Sequence, residues 1–444
     1  MKSKIYFILF VFINSTLISA QEIGLQLSDN VKSETISFQL IKNLVVIPVN
    51  LNGHKMNFIV DSGLRETILL SQFNDALDHK TLKQINLKGL GNTGEGTIGY
   101  YSSSNMLTIG KNYFSFKIPI VVIQDEKFNL FSRLGIDVHG IIGYEFFRNY
   151  PIKIDYVKQK ITIYKTLENN KKLKKYTVNE LEISPEKKPF VRIDFSHQKE
   201  YLQQKMLIDI GNSDGLWLFK TQFDDLAQPN QVFFDELGRG FNGTISGERG
   251  TINQVSLGKS TFKNPLIAIP DPNSIQFINV KNERKGSIGN EILRRFTIIL
   301  DYNQNKLYYK PNKNYDDAFH YNRSGLTIVH DSFEWDNSEI TMNYKGNNST
   351  EKENIGLTQK MNYQIVLKPV YKIEHVRKNS NAELAGLKAN DQLIKLNHKK
   401  VEKMSLSDIE NFMREHEYET ITIEILRNNQ PKKIEFKLDI PYQN

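Results

Sequence analysis

Two short segments of this 444-residue chain place a carboxylate where it can do chemistry: Asp61-Ser62-Gly63 and Asp209-Ile210-Gly211. Each Asp ends an apolar run, and the Gly two residues on permits a tight turn. A carboxylate at the end of a buried strand is costly unless hydrogen-bond donors or a task accompany it. If the two meet, they cannot both ionise easily and they share a proton. One then acts as a base that activates water, and the other as an acid that protonates the amide being cleaved. Such a pair hydrolyses peptide bonds with no metal, cysteine or histidine.

A single Asp-Ser-Gly reads more simply as a turn residue at a strand end. What raises the pair above that reading is a duplication. Gly140-Ile-Ile-Gly143 is answered by Gly286-Ser-Ile-Gly289, and Ile152-Lys-Ile-Asp155-Tyr156 by Ile298-Ile-Leu-Asp301-Tyr302. Asp61 to Gly110 and Asp209 to Gly258 are both 49 positions; Asp61 to Gly143 is 82 and Asp209 to Gly289 is 80. Gly143 to Asp155 and Gly289 to Asp301 are both 12. Repeats in register over such a length indicate a duplicated domain. If the copies pack about a pseudo-twofold axis, Asp61 and Asp209 meet on it. Asp155 and Asp301, near the ends of surface hairpins, read as structural.

Each copy is expected to be β-rich. Val45 to Leu51, the turn signal Asn52-Gly53 and Phe58-Ile-Val60 form a strand–turn–strand pattern. One short helix is expected after each Gly-x-x-Gly, at Tyr144 to Arg148 and at Asn290 to Arg295. Thr166 to Lys188, rich in Lys, Glu and Asn, reads as an exposed linker with room for an edge strand. Beyond about residue 315 the pattern changes. Strands are expected at 371–376 and 391–396, a short helix at Ala382 to Leu387, and a helix from a capping-box-like Ser405-Leu-Ser-Asp408 to about His416. A hairpin closes the chain across Asn428-Asn-Gln-Pro431. This is a small α+β domain.

Composition bounds the alternatives. Hydrophobic residues are 39% and charged residues 24%, ordinary globular values. A mean hydropathy of −0.45 argues against a multi-span membrane protein. Cys is zero, which removes disulfides, thiolate metal sites and cysteine catalysis. The formal charge of +8 is spread along the chain, unlike the single basic stripe of a nucleic-acid binder. The first 20 residues have a secretory layout: Lys2 and Lys4, the apolar run Ile5 to Ile13, then Ile18 and Ala20 before a cleavage point at Gln21. An exported protein, periplasmic or secreted, of bacterial type and without a transmembrane anchor is expected.

With these landmarks the chain resembles the single-chain, two-lobed bacterial form of the retropepsin-like aspartic proteases, over about residues 36 to 311. The resemblance implies a mainly β fold of two duplicated acid-protease β-barrel lobes, with Asp61 and Asp209 catalytic and Ser62, Gly63, Ile210 and Gly211 supporting their loops. It also implies Gly-rich flaps over the substrate, at Gly89 to Gly96 (Gly91 and Gly94) and at Gly238 to Gly247 (Gly240 and Gly243). Members usually carry Thr or Ser after each catalytic Asp, and that hydroxyl ties the two loops together. Ser62 fits this pattern and Ile210 departs from it. Leu64 and Arg65 stand where small residues are common.

The C-terminal region resembles a PDZ domain through Val376, Ser380, Ala382, Ala385-Gly386-Leu387, Asp391, Leu393-Ile394, Asn397 and Val401. PDZ domains add an extended peptide beside a strand and hold its carboxylate on backbone N–H groups. Ser324-Gly325-Leu326-Thr327-Ile328 is the first candidate for that loop and Ile355-Gly356-Leu357 the second. The expected boundaries are 1–20 signal peptide, 21–170 lobe 1, 171–314 lobe 2 and 315–444 PDZ domain. Gly89-Leu-Gly91-Asn-Thr-Gly94 lacks the following helix of a dinucleotide site. The nine scattered His show no metal-binding spacing. The leading expectation is an aspartic endopeptidase needing no cofactor, with a peptide or protein substrate and a PDZ-bound peptide or C-terminus as partners. The alternative, motivated by Ile210, is a pseudo-protease that binds peptides without cutting them.

Overall fold

A computed structural model describes residues 24–70, 76–77, 82–87, 90, 97–123, 130–240, 243–276, 283–336 and 366–439. The expected signal segment 1–20, the flap glycines Gly91 and Gly94, and the second candidate loop at Ile355 lie outside these residues. The fold is mainly β, and each protease-like lobe has its own sheet, with a six-stranded sheet joining them.

In lobe 1 the apolar strands Leu44–Leu51 and His54–Val60 pair as a hairpin. Asn52 and Gly53 hold positive φ (49° and 93°) at its turn, as an Asn-Gly signal requires. His54–Val60 then runs parallel to Gly140–Ile142, with Ile142 opposite Val60. Lobe 2 repeats the arrangement: Lys199–Ile208 runs parallel to Gly286–Ile288, with Ile288 opposite Ile208. The glycines are there because the chains press together. A Cβ on Gly140 would lie 2.3 Å from the carbonyl oxygen of Ile68, and one on Gly286 only 1.8 Å from that of Trp217.

The lobes are sewn together by a sheet whose order is Thr177–Glu180, Lys306–Pro311, Phe296–Asp301, Ile152–Asp155, Lys160–Tyr164, Ser33–Ser37. At its centre Ile152 faces Leu300 and Ile154 faces Ile298, one strand from each lobe. These four side chains are fully buried in a core continuous through both lobes. Full burial of each contributes roughly 1.5–3 kcal/mol, so the lobes are expected to behave as one unit. Asp155 and Asp301 each accept the N–H three residues on, from Lys158 and Gln304, as turn residues do. The expected linker is not simply exposed: residues 177–180 form an edge of this sheet, and Lys188 reaches inward.

Four α-helices occur among the described residues: α1 (Leu130–Leu134), α2 (Asn290–Leu293), α3 (Asn381–Leu384) and α4 (Leu406–Glu415). The sequence pattern did not announce α1. In the copy-one position expected to match α2, the chain makes only a 3-10 turn, Tyr144–Phe146. The C-terminal domain has the strand order Leu326–Asp336, Val366–Val376, Gln392–Leu396, Thr420–Arg427, Gln430–Lys437. Its helix α4 starts with a true capping box, Ser405 with Asp408, and buries Leu406, Ile409 and Met413. Asp391, 1% exposed, is held by the Arg427 guanidinium through two bonds of 2.6 Å. The closing hairpin turns tightly on Asn428 and Asn429, both at positive φ.

Candidate active site

The two parallel strand pairs deliver Asp61 and Asp209 to one place. The Asp61 N–H donates to the carbonyl of Ile142, and the Asp209 N–H to that of Ile288, both at 2.9 Å. Each carboxylate is therefore launched from the strand that its Gly-x-x-Gly neighbour braces. A Cβ on Gly211 would sit 2.2 Å from the Asp61 carboxyl carbon, and one on Gly63 2.9 Å from Asp209 Oδ1. Each carboxyl thus rests against the glycine of the opposite loop, which is why neither glycine has room for a side chain. The two carboxyls are thereby brought face to face, close enough for the charge of one to raise the other.

Their acidity follows from the setting. Burial, and then the charge of Asp209, push the Asp61 carboxyl up to about 7. Asp209 is also raised, by burial, with Arg284 and Lys188 pulling the other way. The pair holds a proton well above the ordinary carboxylate range, as an acid–base dyad requires. The Gly63 N–H donates to Asp61 Oδ1 at 2.7 Å and fixes that oxygen.

The loops are tied asymmetrically. The Ser62 hydroxyl crosses to lobe 2, donating to the Ile208 carbonyl (2.6 Å) and accepting from the Ile210 N–H (3.0 Å). Ile210 returns no such bond: its side chain is fully buried in the main core. The other tie comes from Asn290, which sequence reasoning missed. Its amide donates to the Ile210 carbonyl (2.6 Å), while its oxygen accepts from the Tyr156 hydroxyl of lobe 1 (2.7 Å). Asn290 is fully buried and follows Gly289 directly, where copy one has Tyr144. A polar amide where the other copy has an aromatic ring was the available signal.

Two cations beside the dyad were also missed. Arg284 is 6% exposed, its Nε donating to the Gly286 carbonyl (3.1 Å) and its guanidinium lying 4.9 Å from the Phe219 ring centre. Burial lowers it to about 10, against the attraction of Asp209 and Asp61. Lys188, half-buried on the turn before strand Pro189–His197, is lowered by burial and by Arg284, and raised by both carboxylates. Neither makes an ion pair within 4 Å among the described residues. Their positive field keeps the dyad from climbing further. No group of three His or acidic side chains is placed to hold a metal ion among the described residues.

Of the expected flap residues, Gly240 and Gly243 face each other at the end of the hairpin Asn230–Gly240 / Gly243–Thr251. A Cβ on Gly240 would meet the Leu90 carbonyl oxygen at 2.2 Å, so this hairpin touches the Gly-rich segment of lobe 1. Gly325 precedes the strand Leu326–Asp336, which Leu326, Thr327 and Ile328 open. Gly325 has φ +74°, and its carbonyl accepts the Arg377 N–H at 2.7 Å. Leu326 and Ile328 point into the PDZ core.

These features define an aspartyl protease-like region joined to a PDZ-type domain. Comparison with known proteins agrees with that architecture. Residues 47–146 match the aspartyl protease family, and residues 372–427 match the PDZ domain family. No curated protein matches the chain. Among solved structures, basic 7S globulin from soybean is similar, with a TM-score of 0.38 and 8% identity over 65% of this chain and 98% of that one.

Proposed function

We propose that the chain is an exported aspartic endopeptidase in which Asp61 and Asp209 share a proton and activate one water, with a PDZ domain that binds peptide segments or C-termini. The observation that carries this reading is the facing carboxyl pair, each member seated on the glycine of the opposite loop. The raised Asp61 supplies the protonated partner near neutral pH, and Asp209, closer to the balance of Arg284 and Lys188, supplies the base. Ile210 favours the rival reading of a peptide-binding protein that does not cut. Against it, the Ser62 bridge and the Asn290 clamp both hold the Asp209 loop in place. Export rests on the layout of residues 1–20.

The test is cleavage of a mixed-sequence peptide pool by wild type, Asp61→Asn and Asp209→Asn, read by mass spectrometry. Loss of an acid–base partner is expected to lower the rate by roughly 10²–10⁴-fold in either variant. Equal cleavage by all three, or none by wild type between pH 3 and 8 (about the span of both carboxyls), sinks the endopeptidase reading.

A further inference from the structure

The strand Leu326–Asp336 is the edge of the PDZ sheet: among the described residues it pairs only with Val366–Val376. A peptide ligand of such a domain lies along that free edge, between it and α4. The space is not vacant. Helix α1 of the catalytic region is packed there. The Phe131 ring stands 4.7 Å from that of His330 and 6.1 Å from that of Phe333, both on the edge strand. Gly135, just past the helix at φ +70°, lies against the first residue of α4: a Cβ on it would be 3.1 Å from Leu406 Cβ. Arg133 pairs with Glu374 of the PDZ sheet (2.8 Å) and with Glu236 of the lobe 2 hairpin (3.1 Å). Lys42 pairs with Glu410 on α4 at 2.5 Å.

Two observations mark this as a place built for another occupant. His330 is 4% exposed under Phe131, yet neither ring nitrogen has a hydrogen-bond partner among the described residues. At the other end of the groove, Gly325, Leu326 and Thr327 open into a cavity shared with Asp214 and Arg249 of lobe 2. The carboxylates lining it are paired with cations, Asp214 and Asp235 with Arg249 and Glu410 with Lys42. Arg377 and Arg414 line it too, and neither has a carboxylate partner among the described residues. Arg377 is 4% exposed; its Nη1 donates to the Tyr321 hydroxyl (2.9 Å), while its Nη2 has no hydrogen-bond partner among the described residues. A buried donor left in that state is costly.

We propose that α1 is an internal stopper in the PDZ groove, and that a peptide with a free C-terminal carboxylate, received by Arg377 and Arg414, displaces it. The displacement reaches the catalytic centre by a short route. Five residues after Gly135 comes Gly140, the start of the strand whose Ile142 carbonyl holds the Asp61 N–H. Ligand at the PDZ domain and geometry at the dyad are then coupled, and by linkage the coupling runs both ways.

The inference rests on the PDZ half of the reading above and not on cleavage, so the test reads binding. Its probe is a fluorescein-labelled octapeptide library with free C-termini, and the same library amidated. Binding is measured by anisotropy on the full chain carrying Asp61→Asn. The chain has no cysteine, so Gly135→Cys with Leu406→Cys gives an unambiguous crosslink across the stopper. Oxidised, this protein is expected to bind the free-carboxylate library about tenfold more weakly than when reduced. Conversely, Phe131→Ala with Arg133→Ala is expected to bind it about tenfold more tightly than the parent, as for a groove open in about one molecule in ten. The amidated library should show neither change. Failure of the crosslink to form overturns the proposal. So does equal affinity in the stoppered and unstoppered forms, or an unstoppered form that binds neither library. Should the competition appear in a wild type that cuts nothing, the stopper stands and the endopeptidase reading falls.

Discussion

The loop at Asp61 and the loop at Asp209 hold equivalent carboxyls by different means. Both are launched from a strand braced by a Gly-x-x-Gly segment, and both rest on the opposing glycine. Around them the loops diverge. Lobe 1 reaches across with a hydroxyl; lobe 2 offers a fully buried isoleucine and delegates its polar tie to Asn290, 80 residues further along. The magnitudes show why this exchange is tolerable. One intramolecular hydrogen bond contributes about 1 kcal/mol net. Fully burying an isoleucine side chain contributes about 2 kcal/mol. What cannot be exchanged is the backbone geometry that sets the carboxyls face to face.

The comparison is broken most severely at the glycines. Gly211→Ala forces a methyl to 2.2 Å from the Asp61 carboxyl carbon, whereas Gly63→Ala brings one only to 2.9 Å from Asp209 Oδ1. Displacing a reacting group by about 1 Å costs roughly 10²-fold. Gly211→Ala is therefore expected to lower kcat/KM by about that factor or more, and Gly63→Ala by less. The reverse order would mean that the carboxyls do not rest as described.

The ties come next. Ser62→Ala orphans the Ile208 carbonyl and the Ile210 N–H; Asn290→Leu orphans the Ile210 carbonyl and the Tyr156 hydroxyl. Each buried group left unsatisfied costs about 1–3 kcal/mol. With two such groups each, both variants should lose about 2–6 kcal/mol of stability in urea titrations. A double variant that loses no more than either single one would show that the two ties form one clamp.

Much of this was legible in the sequence, and the remainder has physical reasons. The duplication, the two carboxyls and the PDZ pattern are local signals repeated at fixed spacing. The capping box at Ser405 is equally local. Helix α1 was missed because five residues are too few to show a 3.6-residue period. A Lys-rich stretch is usually a solvated linker, and Lys188 closes one. Only the fold carries it to the dyad, 127 positions after Asp61. Arg284 and Asn290 likewise acquire meaning from partners far along the chain.

The electrostatic comparison gives a subtler pair of outcomes. The folded chain keeps a proton on Asp61 up to about pH 7, while the unfolded chain releases it near the ordinary carboxyl value of 3.8. The folded state thus binds more protons between these values, and its stability falls as pH rises through that window. In Asp61→Asn this part of the slope should vanish, so the variant gains on wild type at pH 7 relative to pH 4. Lys188 acts in the opposite sense, lowering both carboxyls. Lys188→Met is expected to move the acid limb of kcat/KM to higher pH, by less than about one unit for a half-buried charge. An unmoved limb would show that Lys188 does not sense the dyad.

The smallest expected effect tests the divergence itself. Ile210→Thr gives lobe 2 the hydroxyl that Ser62 supplies from lobe 1. By the register of the two copies, its acceptor is the carbonyl of Val60, which stands before Asp61 as Ile208 stands before Asp209. The variant gains about 1 kcal/mol from a hydrogen bond and loses a similar amount of buried apolar contact. Net stability should therefore change by less than about 1 kcal/mol. Activity is the more informative readout, because a second hydroxyl holds the loops without altering either carboxyl. A rise in kcat at unchanged KM and unchanged urea midpoint would show that the isoleucine had slackened the pair. An unchanged kcat would show that Ser62 and Asn290 already hold the Asp209 loop as firmly as the chemistry requires.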